Sequence, residues 1–302
     1  PLILLLNQYF CLVCSVGFVL VDIGEIRRII TEKANAHGEP VPQFHVDAAV
    51  GWALCFLTEY NIEVNPFGLE ERTLPLIKRA QQHCNELRHA DSVTIDFHKW
   101  GWGHYPSSAF IVNRRDDLVR LFRTKEELPY FTEADYRRDP ALFTLECSRP
   151  GIGPFSVIAS LNAMGLTGYQ MLVANAIELA NSLKHRIEAL DYCKILNMDT
   201  IGPSVVWWVL PKGRDAKLIY SRMVKGELDA EECSRYLTEV RRLFDKRQAM
   251  LNSAIDARLS FTSAMGFEPN GIPVPGWKAV FFNPKTDESV VERIVDSIEE
   301  LM

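Results

Sequence analysis

Two short strand-like runs lead into residues whose side chains can do chemistry. The first, residues 44–46, ends at Asp47, and the second, residues 92–95, is followed by the pair His98-Lys99. A lysine just past a buried strand and beside a glycine-rich loop is expected to be desolvated, which lowers its pKa and makes the amine nucleophilic. Ligands of open parallel α/β sheets bind at the carboxyl ends of the strands, so we expect Asp47 and Lys99 to face one crevice.

The motifs around these residues resemble a known family. HVDAA at residues 45–49, followed by ADS, a strand and DFHK at residues 96–99, is similar to the pyridoxal-phosphate-dependent decarboxylases of the aromatic amino acid, glutamate and tyrosine decarboxylase group. The resemblance implies an α/β fold of the fold-type-I transferase kind. A fold of this kind would have a large domain with a mostly parallel sheet flanked by helices, and a smaller α+β C-terminal domain.

The resemblance also implies roles for individual residues. Lys99 would form the Schiff base with pyridoxal 5'-phosphate, and Asp47 would hold the proton of the pyridinium nitrogen. His98 would contact the phosphate or flank the ring, and Ala49 would lie against the ring face because it is small. Other interpretations stay open, since a strand-end aspartate such as Asp47 is also typical of a helix N-cap and His98 can be satisfied by local backbone.

Four further residues are weaker candidates for the site. Ser107 and Ser108, in the loop after Lys99, are candidates for the phosphate, including that of a partner subunit. Arg149, in the family's serine-arginine segment, is a candidate for a substrate carboxylate or a structural ion pair. Trp102 is a candidate for the pocket lining, although an aromatic residue beside a core strand more often packs. We expect His45 to be structural.

The composition excludes some classes of function. The chain has 302 residues and a net charge of −6, without a block of lysine and arginine, so it gives no electrostatic case for nucleic acid binding. Its seven scattered cysteines do not form a disulfide framework. No metal site is indicated, because the CxxC of Cys11 and Cys14 has no second pair. These features predict a cytoplasmic protein.

Residues 1–21 are uncharged and mostly apolar. We favour a buried strand region here over a membrane segment, because Asn7-Gln8 interrupts the run and no basic flank precedes it. The family's glycine-threonine-rich turn is altered at this place, and its upstream segments are absent. We therefore expect an N-terminally incomplete chain.

Hydrophobic periodicity gives the domain organisation. We predict the C-terminal part of the cofactor-binding domain in residues 1–165 and the small domain in residues 166–302. Helices are predicted at residues 25–36, 74–87, 155–164, 170–190, 230–251 and 287–301, and strands at residues 44–47, 92–95, 109–112, 205–210, 258–262 and 279–282.

The expected function is decarboxylation of an L-amino acid by a homodimer, without nucleic acid or membrane partners. Two alternatives remain open. The loop GWGHYPSS, residues 101–108, is also similar to the sphingosine-phosphate lyase branch, which would make the reaction a carbon–carbon cleavage. The altered N-terminal region instead favours a truncated or non-catalytic relative that no longer binds cofactor.

Overall fold

The computed structural model describes residues 10–11, 22–114, 117–118, 127, 142, 150–251, 257–265 and 271–302. They divide into two compact units. The described residues of the first unit come from 10–11, 22–53 and 83–166, and those of the second from 54–82 and 167–302. The chain thus passes between the units next to the predicted boundary at residue 165, while residues 54–82 group with the second unit.

The first unit contains a four-stranded sheet with the order β1-β2-β3-β4. Strands β1 to β3 are parallel and β4 is antiparallel to β3, so the sheet is mostly parallel, as the sequence predicts. Because β2 and β3 are parallel neighbours, their carboxyl ends lie at the same edge of the sheet. The strands are β1, Phe10–Cys11; β2, His45–Asp47; β3, Ser92–Asp96; and β4, Ser108–Val112.

Helix α1, Ile23–Ala36, precedes β2. Asp22 caps it by accepting a 2.8 Å hydrogen bond from the N–H of Glu25, which satisfies one of the donors left over in the first turn. Ile23 is fully buried on its inner face.

A 3₁₀ helix at Gly51–Glu59, helix α2 at Leu74–Glu86 and a 3₁₀ turn at Leu87–His89 connect β2 to β3. Within the second unit, the side-chain amide of Gln81 donates to the carbonyls of Leu57, at 2.9 Å, and Tyr60, at 2.8 Å. These bonds tie α2 to the end of the 3₁₀ helix.

Helix α3, Ile152–Glu188, contains a break at Gly165, where φ is 60°. It is the one helix among the described residues that is long and apolar enough, by length and composition, to cross a membrane. Past the break, however, Val173, Ile177 and Leu183 are almost fully buried in the second unit. This part of α3 is therefore the core helix of a folded unit.

The second unit is α+β, with an antiparallel sheet of order β5-β6-β8-β7. Its centre is β6, in which every residue is buried, including Trp207 and Trp208. The elements are β5, Cys193–Ile195; β6, Ser204–Val209; α4, Ala216–Val224; α5, Ala230–Met250; β7, Ser260–Thr262; β8, Gly276–Val280; and α6, Glu288–Glu299.

Candidate active site

Asp47 is the last residue of β2 and is in register with Thr94 of β3. Its Oδ1 accepts a 2.9 Å hydrogen bond from the N–H of Ala49, the kind of capping contact that is common where a strand turns into a helix. The N–H of Ala48 donates to the carbonyl of Thr94, at 2.9 Å, so the chain stays attached to β3 just beyond Asp47. The Asp47 carboxylate is thereby fixed at the edge where β2 and β3 end.

Lys99 lies three residues beyond Asp96, the last residue of β3, and its side chain turns back to it. Nζ of Lys99 is 2.7 Å from Oδ2 of Asp96. The expected desolvation of Lys99 is wrong, since its side chain is 36% exposed and forms an ion pair. The reason is local: the turn after β3 places the amine beside the buried carboxylate that ends the strand.

Asp96 is buried, and each oxygen of its carboxylate has a partner. Its Oδ1 accepts a 2.5 Å hydrogen bond from the hydroxyl of Ser108, its partner across β3 and β4. Burial raises the pKa of the Asp96 carboxyl, but the hydrogen bonds from Lys99 and Ser108 and the charges of Lys99 and His98 together lower it below its ordinary value. Asp96 is therefore a carboxylate at neutral pH.

His98 is held in one orientation by the loop that follows it. Its Nδ1 lies 2.9 Å from the carbonyl oxygen of Ser107 and 3.1 Å from the N–H of the same residue. The tautomer decides which of these two contacts is the hydrogen bond. The ring of Tyr105 lies 4.0 Å from the His98 ring, and Nε2 is 3.7 Å from Oδ2 of Asp96. The backbone of Ser107 thus satisfies Nδ1 of the imidazole, while Nε2 faces the ion pair of Asp96 and Lys99.

The indole of Trp52 fixes the backbone at the end of β3. Its Nε1 donates a 2.9 Å hydrogen bond to the carbonyl of Asp96, and its ring packs edge-on against Phe97 with centroids 4.8 Å apart. Gly101 lies directly against this indole, since a Cβ at that position would be 2.5 Å from Cζ2 of Trp52. A larger residue than glycine does not fit there.

His45 has a structural environment, as expected. Its Nδ1 lies 2.9 Å from the hydroxyl of Ser92 and its Nε2 lies 3.2 Å from that of Thr94, so both contacts are to β3. Burial lowers the pKa of His45, with a smaller opposing effect from the charge of Asp47. A neutral ring that joins two strands is the result.

Part of the chain is similar in sequence to known proteins. Residues 74–210 match the family described as the pyridoxal-dependent decarboxylase conserved domain. A probable L-aspartate decarboxylase of Pyrococcus abyssi (strain GE5 / Orsay) is 24% identical over 163 residues, which cover 54% of this chain and 36% of that protein. The stretch 74–210, somewhat less than half of the chain, is similar to the pyridoxal-dependent decarboxylase family.

Solved structures share the fold of this chain. Mouse CSAD in apo form superposes with a TM-score of 0.66 at 15% identity, covering 97% of this chain and 51% of that chain. Catharanthus roseus tryptophan decarboxylase in complex with L-tryptophan gives a TM-score of 0.63 at 17% identity, covering 97% and 48%. The predicted fold-type-I architecture is therefore confirmed, and the chain spans about half the length of these structures and about a third of the archaeal relative.

The residues at this site fit the cofactor for which the matching family is named. Pyridoxal phosphate requires an amine, a carboxylate for the ring nitrogen and donors for the phosphate. Lys99 and Asp47 supply the first two at one edge of the sheet. The hydroxyl of Ser107 is buried and has no hydrogen-bond partner among the described residues, so it is a donor that a phosphate oxygen would satisfy.

The remaining predicted residues have other environments. The Ser108 hydroxyl is engaged by Asp96. Trp102 has a φ of 55°, a left-handed conformation that costs a non-glycine residue about 1–2 kcal/mol. Arg149 lies outside the described residues.

Sequence reasoning did not assign Asp96 and Trp52 to the site. The spacing of Asp96 and Lys99, three residues apart just past a strand, is the signal that points to the ion pair. The contact of Trp52 depends on the path of the chain between β2 and β3, and no local pattern predicts it.

Proposed function

We propose that this chain carries the cofactor-binding lysine of an enzyme that decarboxylates an L-amino acid with pyridoxal 5'-phosphate. One observation carries the proposal. Asp47 ends β2 and Lys99 follows β3, and because β2 and β3 are neighbouring parallel strands, both residues lie at one edge of the sheet. The family match over residues 74–210 and the decarboxylase names of the relatives support the same reaction.

The bound cofactor would supply an electron sink for the electron pair that stays on Cα when CO2 leaves. Asp47, as a carboxylate, would hold a proton at the ring nitrogen and keep that sink effective. Lys99 would anchor the cofactor through Nζ and, once displaced by the substrate amine, carry a proton from Nζ to Cα.

Three neighbouring residues would position the cofactor. The small side chain of Ala49 leaves room for the ring face, and its N–H keeps Asp47 oriented. The His98 imidazole, fixed by Ser107 backbone, would flank the ring or meet the phosphate. The buried hydroxyl of Ser107 would donate to a phosphate oxygen.

We also propose that the protein is a cytoplasmic homodimer. Exposed apolar side chains at the start of α3 support the dimer: Ile152 is 51% exposed, Phe155 73% and Ile158 56%. Their spacing of three residues puts them on one side of the helix, and a contiguous apolar surface of this kind is typical of an interaction site. Four cysteines of the described residues form no disulfide, which supports a reducing compartment: Cys55, Cys84, Cys193 and Cys233.

Release of CO2 tests the reaction. The purified chain with pyridoxal 5'-phosphate would be offered L-aspartate, L-glutamate and the aromatic L-amino acids in turn, beside a Lys99→Ala variant. CO2 together with the matching amine, seen with the parent alone, supports decarboxylation. An aldehyde without CO2 would replace it by carbon–carbon cleavage, and no turnover of any substrate by a cofactor-loaded chain would overturn the proposal.

A further inference from the structure

The carboxylate of Asp96 is bonded to two side chains. Oδ2 lies 2.7 Å from Nζ of Lys99, and Oδ1 lies 2.5 Å from Oγ of Ser108. Only 11% of the Asp96 side chain is exposed, against 36% for Lys99. The amine is therefore the partner that can reach solvent or a ligand, while the carboxylate is fixed.

The backbone of Asp96 is held as firmly as its side chain. Its N–H donates to the carbonyl of Ala49, at 3.2 Å, and its carbonyl accepts from Nε1 of Trp52, at 2.9 Å. Ala49 follows Asp47 by two residues, so the same contacts join the position of Asp96 to that of the other proposed catalytic group. A carboxylate whose side chain and backbone are both hydrogen-bonded can hold the amine of Lys99 in one place.

A buried carboxylate next to a lysine amine favours the ammonium form, since an opposite charge within about 4–6 Å stabilises the charged state. The nucleophile, however, is the neutral amine. The other titratable groups around the pair are His98, 3.7 Å from Asp96, and Tyr105, whose ring centroid lies 4.0 Å from that of His98. The adjacent β2 carries His45 and Asp47, and β4 carries no ionisable side chain. Asp96 is thus the carboxylate in direct contact with Lys99.

We propose that Asp96 is a positioning residue that holds Nζ of Lys99 at the end of β3 through their 2.7 Å ion pair and so controls when the amine is free to react. The inference rests on the proposed function, in which Lys99 is the cofactor lysine. Asp96 acts through Lys99 and has no contact of its own with the substrate. When the amine leaves the carboxylate, it is available for the cofactor's aldehyde.

Competitive acylation tests this role without cofactor or turnover. The chain is treated with limiting acetic anhydride between pH 6 and 11, and acetylation of Lys99 is quantified by mass spectrometry relative to the other lysines. The midpoint of Lys99 labelling is the pH at which its acetylation is half-maximal. In Asp96→Asn this midpoint should fall by about one pH unit or more, because the counter-ion is lost while the side-chain shape is kept. The midpoints of the other lysines should not move.

Glu25→Gln is the matched control, because it also changes an ion-paired carboxylate of the first unit to an amide. Glu25 pairs with the exposed Arg28 of α1 and should leave the Lys99 midpoint unchanged. Ser108→Ala keeps the charge of Asp96 but removes the hydrogen bond that the Ser108 hydroxyl donates to it. The carboxylate then interacts more strongly with Lys99, so the Lys99 midpoint should rise. Asp96→Glu, which restores the charge, should recover most of the shift. An unchanged Lys99 midpoint in Asp96→Asn, or in Ser108→Ala if the first variant does not fold, would overturn the inference.

The cofactor spectrum separates this inference from the proposed function. If pyridoxal 5'-phosphate gives an absorption band with the parent but Asp96→Asn leaves the labelling midpoint in place, the positioning role is wrong and the proposed function stands. If the midpoint moves but no band forms, the proposed function is wrong while the coupling of Asp96 to Lys99 is established.

Discussion

Asp47 lies in register with Thr94 across the parallel strands β2 and β3, two residues before Asp96 ends β3. This register brings the end of β2 within two residues of the end of β3, and Lys99 follows the end of β3 by three residues. Each residue comes from a separate part of the chain, with the 3₁₀ helix Gly51–Glu59 and α2 between them. The candidate site therefore depends on the pairing of two short strands.

Replacement of Asp47 should separate cofactor binding from catalysis. In Asp47→Asn the side chain keeps its shape and its bond from Ala49, but the negative charge at the strand end is lost. We expect CO2 release to fall by roughly 10²-fold or more, the usual effect of removing one preorganised electrostatic group, while the cofactor absorption band persists. Asp191→Asn, at a side chain that is 91% exposed in the second unit, is the control and should keep full activity. Equal activity of the two variants would contradict the role of Asp47.

Substitution of Gly101 tests the packing below the site. In Gly101→Ala the new Cβ would lie 2.5 Å from Cζ2 of Trp52 and 2.8 Å from the carbonyl oxygen of Phe97. The side-chain and backbone shifts that relieve this overlap should destabilise the chain by about 1–3 kcal/mol. In Gly151→Ala the new Cβ would meet Phe155 at ordinary distances of 3.6 and 3.7 Å, so this control should be close to neutral. Urea unfolding of both variants measures the difference, and equal stabilities would show that the Trp52 contact yields easily.

Stability of the second unit should depend on pH through Lys184. Nζ of this residue donates to the carbonyl oxygens of Thr200, at 2.7 Å, and Met198, at 3.3 Å, and to Oγ1 of Thr200, at 3.1 Å. Burial lowers the pKa of Lys184 to about 8, with smaller effects of Asp199, which raises it, and Arg79, which lowers it. The unfolded chain, with a lysine pKa of about 10.4, then binds more protons than the folded chain between about pH 8 and 10. The free energy of unfolding should therefore rise with pH in that window, by at most about 1.4 kcal/mol per unit.

The variant Lys184→Met isolates this effect. It should be less stable than the parent, by about 1–3 kcal/mol at pH 9, because the carbonyls lose their donor. The difference between parent and variant should grow from pH 8 to 10, as measured by urea unfolding at each pH. For Lys78→Met, at an exposed position of α2, the difference in the free energy of unfolding from the parent should not change with pH. A flat difference for Lys184→Met as well would mean that the three acceptors keep the amine charged across the window.

Much of the fold follows from local sequence patterns. The predicted helix at residues 25–36 corresponds to α1, and the predicted strand at residues 92–95 corresponds to β3, Ser92–Asp96. The two predicted helices at residues 155–164 and 170–190 correspond to the two parts of α3, which meet at a kink where Gly165 leaves the helical conformation with a φ of 60°. The signals that led to these predictions, apolar periodicity and end-capping residues, are encoded within a few residues of each element.

Two elements of the second unit are absent from the sequence prediction for a physical reason. Strand β5, Cys193–Ile195, has three residues, and its ladder with β6 defines it more than its own composition. Helix α4, Ala216–Val224, is short and depends on its Asp215 cap. The role of Asp96 escaped prediction in the same way, because its bond with Ser108 arises from the register of β3 and β4.

The apolar start of α3 predicts the oligomeric state. Phe155→Asp places a charge at a side chain that is 73% exposed in the single chain and that we propose to be buried between two copies. We expect the parent to elute as a dimer and this variant as a monomer in size-exclusion chromatography with light scattering. Leu218→Asp, at an isolated position of α4 that is 57% exposed, is the control and should remain dimeric. A monomeric parent would contradict the dimer.

The most direct test of the account is the visible absorption spectrum of the purified chain after addition of pyridoxal 5'-phosphate, beside Lys99→Ala. We predict a band from lysine-bound cofactor with the parent, and reduction with borohydride should fix the pyridoxyl group on Lys99, as peptide mapping would show. Lys184→Ala, which removes the buried lysine of the second unit, should keep the band. A parent chain without the band, or a band that persists in Lys99→Ala, would contradict the assignment of Lys99 as the cofactor lysine.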